Sequence, residues 1–305
     1  MSQAAPISPD WIAVDWGTSN LRAFAMDAGG TVLGEATSDK GMSSLAPNEF
    51  EPVLRALIAD WTVPNPCTVI ACGMVGSRQG WQEAPYRGVP CSAKSDAPVR
   101  VSNVGDDLHV WLISGIKQPD PADVMRGEET QIAGFLALNP DWDGVLCLPG
   151  THCKWVHVSA GEIVSFRTFM TGELFDAIST GTVLRHSLNG TDMDESAFLN
   201  AASETLSRPE KFTTNLFSLR AADLLNGQSA ATARAKLSGA LIGMELAAAK
   251  PYWLGQNVAL IGSSTLCTLY QQALAQQGVD ATLSDAASVT RAGLCATYKA
   301  LTGKS

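Results

Sequence analysis

Asp15 ends an apolar run, Trp11-Ile12-Ala13-Val14, and Gly17-Thr18-Ser19-Asn20 follows before apolar residues resume at Leu21. Those residue types in that order suit phosphate. Small residues at a strand-to-strand turn let backbone N–H groups approach phosphate oxygens, and the Thr18 and Ser19 hydroxyls add donors. A carboxylate at the strand end can hold Mg²⁺ or one of its waters. An ordinary turn capped by its own Asp15 reads the same way in isolation. The pattern recurs, however: residues 145–148 are apolar, Pro149-Gly150-Thr151-His152 is a turn, and residues 154–158 form a second strand, so Gly17-Thr18 aligns with Gly150-Thr151. Leu148 stands where the first hairpin has Asp15, so a metal belongs with the first. Arg22 and Lys154, on the outgoing strands, either neutralise phosphate or face solvent by strand alternation. A third element is the buried run 258–261 leading into Gly262-Ser263-Ser264. There a glycine admits a nucleotide to the backbone, and a serine caps a helix whose first N–H groups point at an anion.

The elements that must position these residues follow from periodicity. Residues 11–35 read as an antiparallel meander of three strands. Residues 48–61 carry Phe50, Val53, Leu54, Leu57, Ile58 and Trp61 at helical spacing, with Pro52 tolerated in the first turn. A short strand, 69–72, runs into Gly73-Met74-Val75-Gly76, so residues 77–90 form a loop at a strand's carboxyl end, where open α/β sheets bind ligands. That loop concentrates Ser77, Arg78, Trp81, Tyr86 and Arg87, either as ligand contacts or as an exposed loop with its aromatics tucked beneath. A helix over 128–138 is entered through Arg126-Gly127-Glu128-Glu129 and stopped by Asn139-Pro140-Asp141, where a domain boundary is expected. Further helices are expected near 174–184, 221–225, 231–249, from 265, and over 286–301, the last with Gly293, Ala296 and Ala300 for a close crossing. Trp16 and Trp155 are expected to pack the hairpins, and His152 and His157 to lie in turns or at the surface.

Composition bounds the function. The 305 residues suffice for two domains, and 46% hydrophobic with 17% charged residues describes a soluble globular chain without an apolar run long enough for a membrane span. Met-Ser-Gln-Ala-Ala-Pro at the start has neither the basic nor the apolar part of a secretory signal, so the expected location is the cytoplasm. Seven scattered cysteines without a C-x-x-C pair argue for reduced, packed thiols. A net charge of −9 disfavours nucleic acid. No G-x-x-x-x-G-K-[ST], dinucleotide fingerprint or protein-kinase loop is present, and His109, His152, His157 and His186 lack zinc-hydrolase spacing.

Two glycine-hydroxyl hairpins, a strand-end Asp and a Gly-Ser helix start, in that order over nearly the whole chain, resemble the sugar kinase, actin and chaperone-ATPase superfamily. The resemblance implies an α/β chain of two ribonuclease-H-like (actin-like ATPase) domains, 1–138 and 139–305, closing on ATP in an interdomain cleft. Helices 128–138 and 286–305 would form the hinge, with the last crossing back. More closely, Asp15-Trp16-Gly17-Thr18-Ser19-Asn20-Leu21-Arg22, Cys72-Gly73-Met74-Val75-Gly76-Ser77-Arg78, Arg126-Gly127-Glu128-Glu129-Thr130-Gln131 and Leu148-Pro149-Gly150-Thr151-His152-Cys153-Lys154-Trp155 resemble the 2-dehydro-3-deoxygalactonokinase family.

That family resemblance implies transfer of phosphate from ATP, with Mg²⁺ on Asp15, to O6 of 2-dehydro-3-deoxy-D-galactonate. The ATP contacts would be Gly17, Thr18, Ser19, Asn20, Arg22, Gly150, Thr151, Lys154, Gly262 and Ser263. The acceptor would meet the 77–90 loop and Lys40-Gly41-Met42-Ser43-Ser44, with Arg78 or Arg87 for its carboxylate. The general base stays open. Glu128 and Glu129 open a helix whose dipole favours carboxylates for structural reasons alone, yet the Gly-Glu-Glu start is also similar to the catalytic glutamate segment of exopolyphosphatases. Glu173 and Asp176 are rivals. Competing readings are a phosphohydrolase of polyphosphate or guanosine pentaphosphate, for which this acidic chain lacks a basic surface, and an actin-like assembling switch, for which the segments between motifs are short. A kinase of another sugar acid or a pantothenate-like acid is the nearer alternative. The partner is thus a small sugar acid, with no nucleic acid and no membrane; a homodimer is left open.

Overall fold

The computed structural model describes residues 6–95 and 97–303. Residues 1–5, read above for a targeting signal, lie outside the described residues, as do the last two positions of the expected second domain. The chain divides into two compact units: Met1–Trp142 with Ser159–Val164 and Ala286–Ser305, and Asp143–Val158 with Ser165–Asp285.

In the first unit six strands pair in the order Val32–Ser38, Leu21–Met26, Trp11–Trp16, Cys67–Gly73, Leu108–Leu112 and Val99–Arg100. The first three make the expected antiparallel meander, and Trp11–Trp16 then pairs in parallel with Cys67–Gly73. A central strand covered on both faces must be apolar throughout, which is why Trp11 to Val14 are all buried. Register sets Asp15 opposite Arg22 on one side and Cys72 on the other. The amphipathic helix is Phe50–Leu57, shorter than the expected 48–61. The chain leaves it at Ile58, and a turn closed by the Trp61 N–H on the Ile58 carbonyl (3.0 Å) carries Trp61 onto the same core.

The Glu128–Leu138 and Ala286–Thr302 helices cross with their backbones in contact. Only glycine permits this: a Cβ at Gly134 would overlap the Val289 carbonyl, and one at Gly293 would overlap the Thr130 carbonyl. Trp11 stacks on Tyr298 at 4.3 Å, fixing the terminal helix on the sheet. Gly293→Ala is therefore expected to force the helices apart at a cost of about 1–3 kcal/mol or more. Chemical denaturation reads this directly, and an unchanged midpoint would contradict the close crossing.

In the sheet that carries the second hairpin, Thr282–Asp285, Val258–Gly262 and Gly144–Leu148 run parallel, followed by the hairpin strand Cys153–Ser159 and by Glu162–Phe169. Leu148 lies opposite Lys154, as Asp15 lies opposite Arg22, so the two hairpins correspond in register as well as in sequence. Ala230–Ala248 packs on Glu195–Ser207, a helix the periodicity reading passed over. Its signal was present: Asp194 caps it by accepting the Ala197 N–H at 3.0 Å, and Phe198, Ala202 and Leu206 recur on one buried side. Gly239 and Gly243 meet that helix's backbone directly. The short helix expected at 221–225 spans Phe212–Asn226 and ends at Gly227 in the left-handed region, φ 64°. The helix expected at 174–184 is Thr171–Gly181, which stops before Thr182 caps a following 3₁₀ turn.

Candidate active site

The first glycine-hydroxyl turn is held from behind. Met42 and Ser43 donate their N–H groups to the Gly17 and Thr18 carbonyls at 3.0 Å each, the Ser43 hydroxyl adds a second bond to Thr18, and the Trp16 indole donates to the Lys40 carbonyl at 3.1 Å. Gly41 lies so close to Thr18 and Ser19 that a side chain would overlap their backbone. The carbonyls are thus consumed. The backbone N–H groups of Thr18 and Ser19 donate to nothing among the described residues, which leaves an anion-binding concavity. The Lys40–Ser44 segment therefore supports the glycine-hydroxyl turn from behind.

The second turn, in the second unit, is held from behind at one carbonyl. Glu173 N–H donates to the Thr151 carbonyl at 3.0 Å, and Gly172 sits against Gly150 and Thr151 with no room for a Cβ. In both hairpins a glycine 21 to 23 positions on, Gly41 or Gly172, buttresses the turn; sequence reading placed Gly41 only in the acceptor segment and gave neither glycine this role. Lys154 is buried, with Nζ 3.3 Å from the His152 carbonyl, and does not face solvent.

Asp15 lines a groove of about 930 Å³ with the turn, Arg22 and Asp39. Its Oδ2 accepts from Arg22 Nη2 at 2.7 Å, while among the described residues Oδ1 has only the Cys72 sulfur at 4.0 Å. The side chain is 23% exposed. A half-exposed carboxylate with one open oxygen, hydroxyls beside it and a second carboxylate at Asp39 is a hard-oxygen set, and it fits Mg²⁺. Asp39 was not singled out by the sequence.

Glu128 and Glu129 open their helix at Gly127, whose φ of 106° turns the chain close over Gly73. Glu129 Oε2 accepts the Gly127 N–H at 2.6 Å and Oε1 the Thr130 hydroxyl at 3.2 Å, while Glu128 Oε2 accepts the Arg126 N–H at 3.1 Å. Glu129 is 1% exposed; burial, then the charge of Glu128, raise its carboxyl to about 7. Burial, then the charges of Asp15 and Glu129, also push the Cys72 thiol well up, so Cys72 lies within reach of both carboxylates. Glu128 is the half-exposed member of the pair.

A carboxyl raised from 4.5 to about 7 stabilises the fold below the lower value and loses that contribution as pH climbs through the higher one. At about 1.4 kcal/mol per tenfold in proton affinity, the loss amounts to roughly 3 kcal/mol. Glu129→Gln is expected to match the parent near pH 4.5 and to become progressively more stable than it up to pH 7–8. Denaturation midpoints across that range check this, and a pH-independent difference would contradict it.

The 77–90 loop divides. Arg78 is 81% exposed, with Glu83 at 3.8 Å. Trp81 stacks on Phe50 and meets Trp16 edge-on, both at 6.0 Å, so this aromatic is tucked beneath the loop as packing. Arg87 Nη1 donates to the Ser92 and Lys94 carbonyls at 2.8 and 3.1 Å, tying down the chain that follows. Ser77 is 5% exposed with its hydroxyl unpartnered among the described residues, and the Tyr86 ring lies under the Arg126 guanidinium at 4.4 Å.

In the second unit, Ser263 caps Ser264–Ala275 by accepting the Leu266 N–H at 3.4 Å, with Gly262 just before it. That helix start walls a pocket of about 360 Å³ shared with Gly150, Thr151, Phe175, Arg234 and Tyr270. Arg234 lies over the Phe175 ring at 4.7 Å, a flat cation-aromatic surface inside an alanine-rich helix that carried no motif. Glu245, raised by its burial, accepts from Trp155 Nε1 at 2.7 Å, from the Tyr270 hydroxyl at 2.8 Å and from Thr171, joining hairpin, helix start and pocket wall. Of the rival bases, Glu173 is engaged by His152 Nε2 at 2.6 Å and Asp176 is exposed on its helix. All seven cysteines are free, and among the described residues no helix is long and apolar enough to cross a membrane.

Known proteins resemble this chain over nearly its whole length. A profile described as 2-keto-3-deoxy-galactonokinase matches residues 15–297. The chain is 41% identical over 298 residues to a Rhizobium meliloti (strain 1021) protein assigned as a 2-dehydro-3-deoxygalactonokinase, covering 95% of this chain and 97% of that one. It is 35% identical over 287 residues to the 2-dehydro-3-deoxygalactonokinase of Escherichia coli (strain K12), covering 93% and 96%. A crystal structure of a Sinorhizobium meliloti protein assigned to the same activity superposes with a TM-score of 0.91 at 40% identity, over 96% of this chain and 99% of that one. An activator of 2-hydroxyisocaproyl-CoA dehydratase from Clostridium difficile, at 13% identity and a TM-score of 0.52 over 96% and 95%, shares the fold, which is α/β and of the actin-like ATPase type.

Proposed function

The chain belongs to the 2-keto-3-deoxy-galactonokinase family, and from that premise we propose how its residues work. As a member it is an ATP-dependent kinase that phosphorylates the 6-hydroxyl of 2-dehydro-3-deoxy-D-galactonate, and family membership favours this over the phosphohydrolase alternative. The observation that carries the mechanism is the related support of the two turns: the Gly17 and Thr18 carbonyls of the first and the Thr151 carbonyl of the second accept bonds from behind, and the Thr18 and Ser19 N–H groups are left for phosphate oxygens. Thr18 and Ser19 grip phosphate with backbone and hydroxyl donors, and Gly150 and Thr151 do so in the second unit. Phe175 and Arg234 in the pocket wall, with Gly262 and the cap Ser263 leading into the helix whose Thr265 and Leu266 line the same pocket, form the adenosine side.

Asp15 and Asp39 would hold Mg²⁺, which when bound neutralises charge on the transferring phosphoryl oxygens. Arg22 holds Asp15 in position. Phosphoryl transfer asks little covalent chemistry of a protein, so alignment and one proton acceptor suffice. Glu128, the half-exposed carboxylate at the helix start, takes the proton from the acceptor hydroxyl. Buried Glu129 anchors the same turn through Gly127. A small sugar acid in the cytoplasm is the setting this reading implies.

The test is ADP release from ATP and Mg²⁺ with 2-dehydro-3-deoxy-D-galactonate, its gluconate epimer, pantothenate and polyphosphate in parallel. Turnover dependent on the galactonate derivative is expected; stimulation by polyphosphate alone would overturn the reading.

A further inference from the structure

Arg126 is 8% exposed, and one of its bonds is plain: Nη2 donates to the Ala84 carbonyl at 2.8 Å. Its Nε–H and both N–H bonds of Nη1 have no acceptor among the described residues. Leaving most of a buried guanidinium unfilled is costly, because the donors have given up water and received nothing in return. The Tyr86 face at 4.4 Å compensates the charge but fills no N–H. Two carboxylates are near: Glu128 Oε2 takes the Arg126 backbone N–H, and Glu129, whose carboxyl feels the Arg126 charge, spends its oxygens on Gly127 and Thr130. Nη1 lies against Gly76, where a Cβ would come to 3.0 Å of it, so any side chain at position 76 would crowd the guanidinium. The next residue, Ser77, is also buried with an unfilled hydroxyl.

Resting on the kinase reading, we infer that Arg126, assisted by Ser77, is the receptor for the acceptor's carboxylate. An anion with two acceptor oxygens supplies what the guanidinium lacks, and a planar guanidinium meets a carboxylate with geometric specificity that a lysine cannot copy. The other arginines of the loop are worse placed: Arg78 is solvated, and Arg87 has committed both terminal nitrogens to the carbonyls of residues 92–94. Arg126 stands two residues before Glu128. A six-carbon acid held at C1 by the arginine extends its far hydroxyl along the same helix start that carries the base. The carboxylate, which takes no part in the transfer, then serves as the handle by which the enzyme selects sugar acids over neutral sugars.

The experiment compares 2-dehydro-3-deoxy-D-galactonate with its uncharged C1 carboxamide in the parent enzyme and in Arg126→Met and Arg126→Lys. The parent is expected to prefer the acid in kcat/KM by on the order of 100-fold. Arg126→Met should lose that preference by losing turnover of the acid while the amide changes less than about threefold, and Arg126→Lys should recover part of it. KM for ATP should stay within about twofold in both. Equal loss of acid and amide, or a parent that treats them alike, overturns the inference while leaving the kinase reading intact; a parent inactive on the acid sinks the kinase reading itself. Should Arg126→Met not fold, the Arg126 Nε–H resonance of the parent protein, assigned by its absence in Arg126→Lys, must shift on adding acid and not on adding amide. No shift with the acid also overturns the inference.

Discussion

Asp15→Asn is expected to lower kcat by about a thousandfold or more while leaving ATP binding within a few fold. Loss of a single group aimed at developing charge commonly costs 10²–10³, and here the same change removes the carboxylate offered to Mg²⁺ and the partner of Arg22. The asparagine amide keeps the size of the side chain, so the groove and the neighbouring turn should persist. Their bonds run through Gly17, Thr18, Met42 and Ser43, not through Asp15. The ion pair with Arg22 is partly exposed, so its loss should cost stability less than about 1 kcal/mol. Steady-state kinetics over a Mg²⁺ titration separate the effects: a kcat that falls and a metal requirement that weakens support the assignment. Retention of kcat within tenfold would place the metal elsewhere.

Glu128→Gln carries the second large expectation, a loss of 10²–10⁴ in kcat with KM for ATP nearly unchanged, the range that removal of a positioned base produces. Glutamine can still accept the Arg126 N–H that Glu128 Oε2 now takes, so the helix start should survive. A parallel Glu173→Gln separates the rivals, because that carboxylate is already engaged by His152. If Glu173→Gln is the inactive variant and Glu128→Gln is not, the base has been assigned to the wrong helix.

Much of this architecture was legible in the sequence because it is local. An apolar strand broken by Gly-Thr-Ser-Asn announces its own turn, and the Glu128–Leu138 helix starts and stops where Gly127 and Asn139-Pro140 say it should. The correspondence of the two hairpins, down to Asp15 and Leu148 in matching register, could be read from spacing alone. What stayed hidden depends on contacts far apart in the chain. Gly41 and Gly172 gain meaning only when they lie against Thr18 and Gly150, and Arg234 only when Phe175 comes beneath it. Arg126 belonged to a quoted motif, yet its unfilled donors appear only once Gly76, Ala84 and Tyr86 surround it. Conversely, Trp81 looked like a ligand contact because it sits among polar residues, and its stack on Phe50 is invisible to spacing. Strand alternation also suggested solvent as an option for Lys154, whereas a buried hairpin face claims it.

The central claim is that the γ-phosphate of ATP passes to a carbon-bound hydroxyl of the sugar acid. Phosphorus NMR of the enzyme with ATP, Mg²⁺ and 2-dehydro-3-deoxy-D-galactonate tests it most directly. The account predicts ADP and a phosphomonoester whose signal is split by the two protons on C6, growing in equal amounts. Inorganic phosphate appearing in its place, with the sugar acid unchanged, would contradict it.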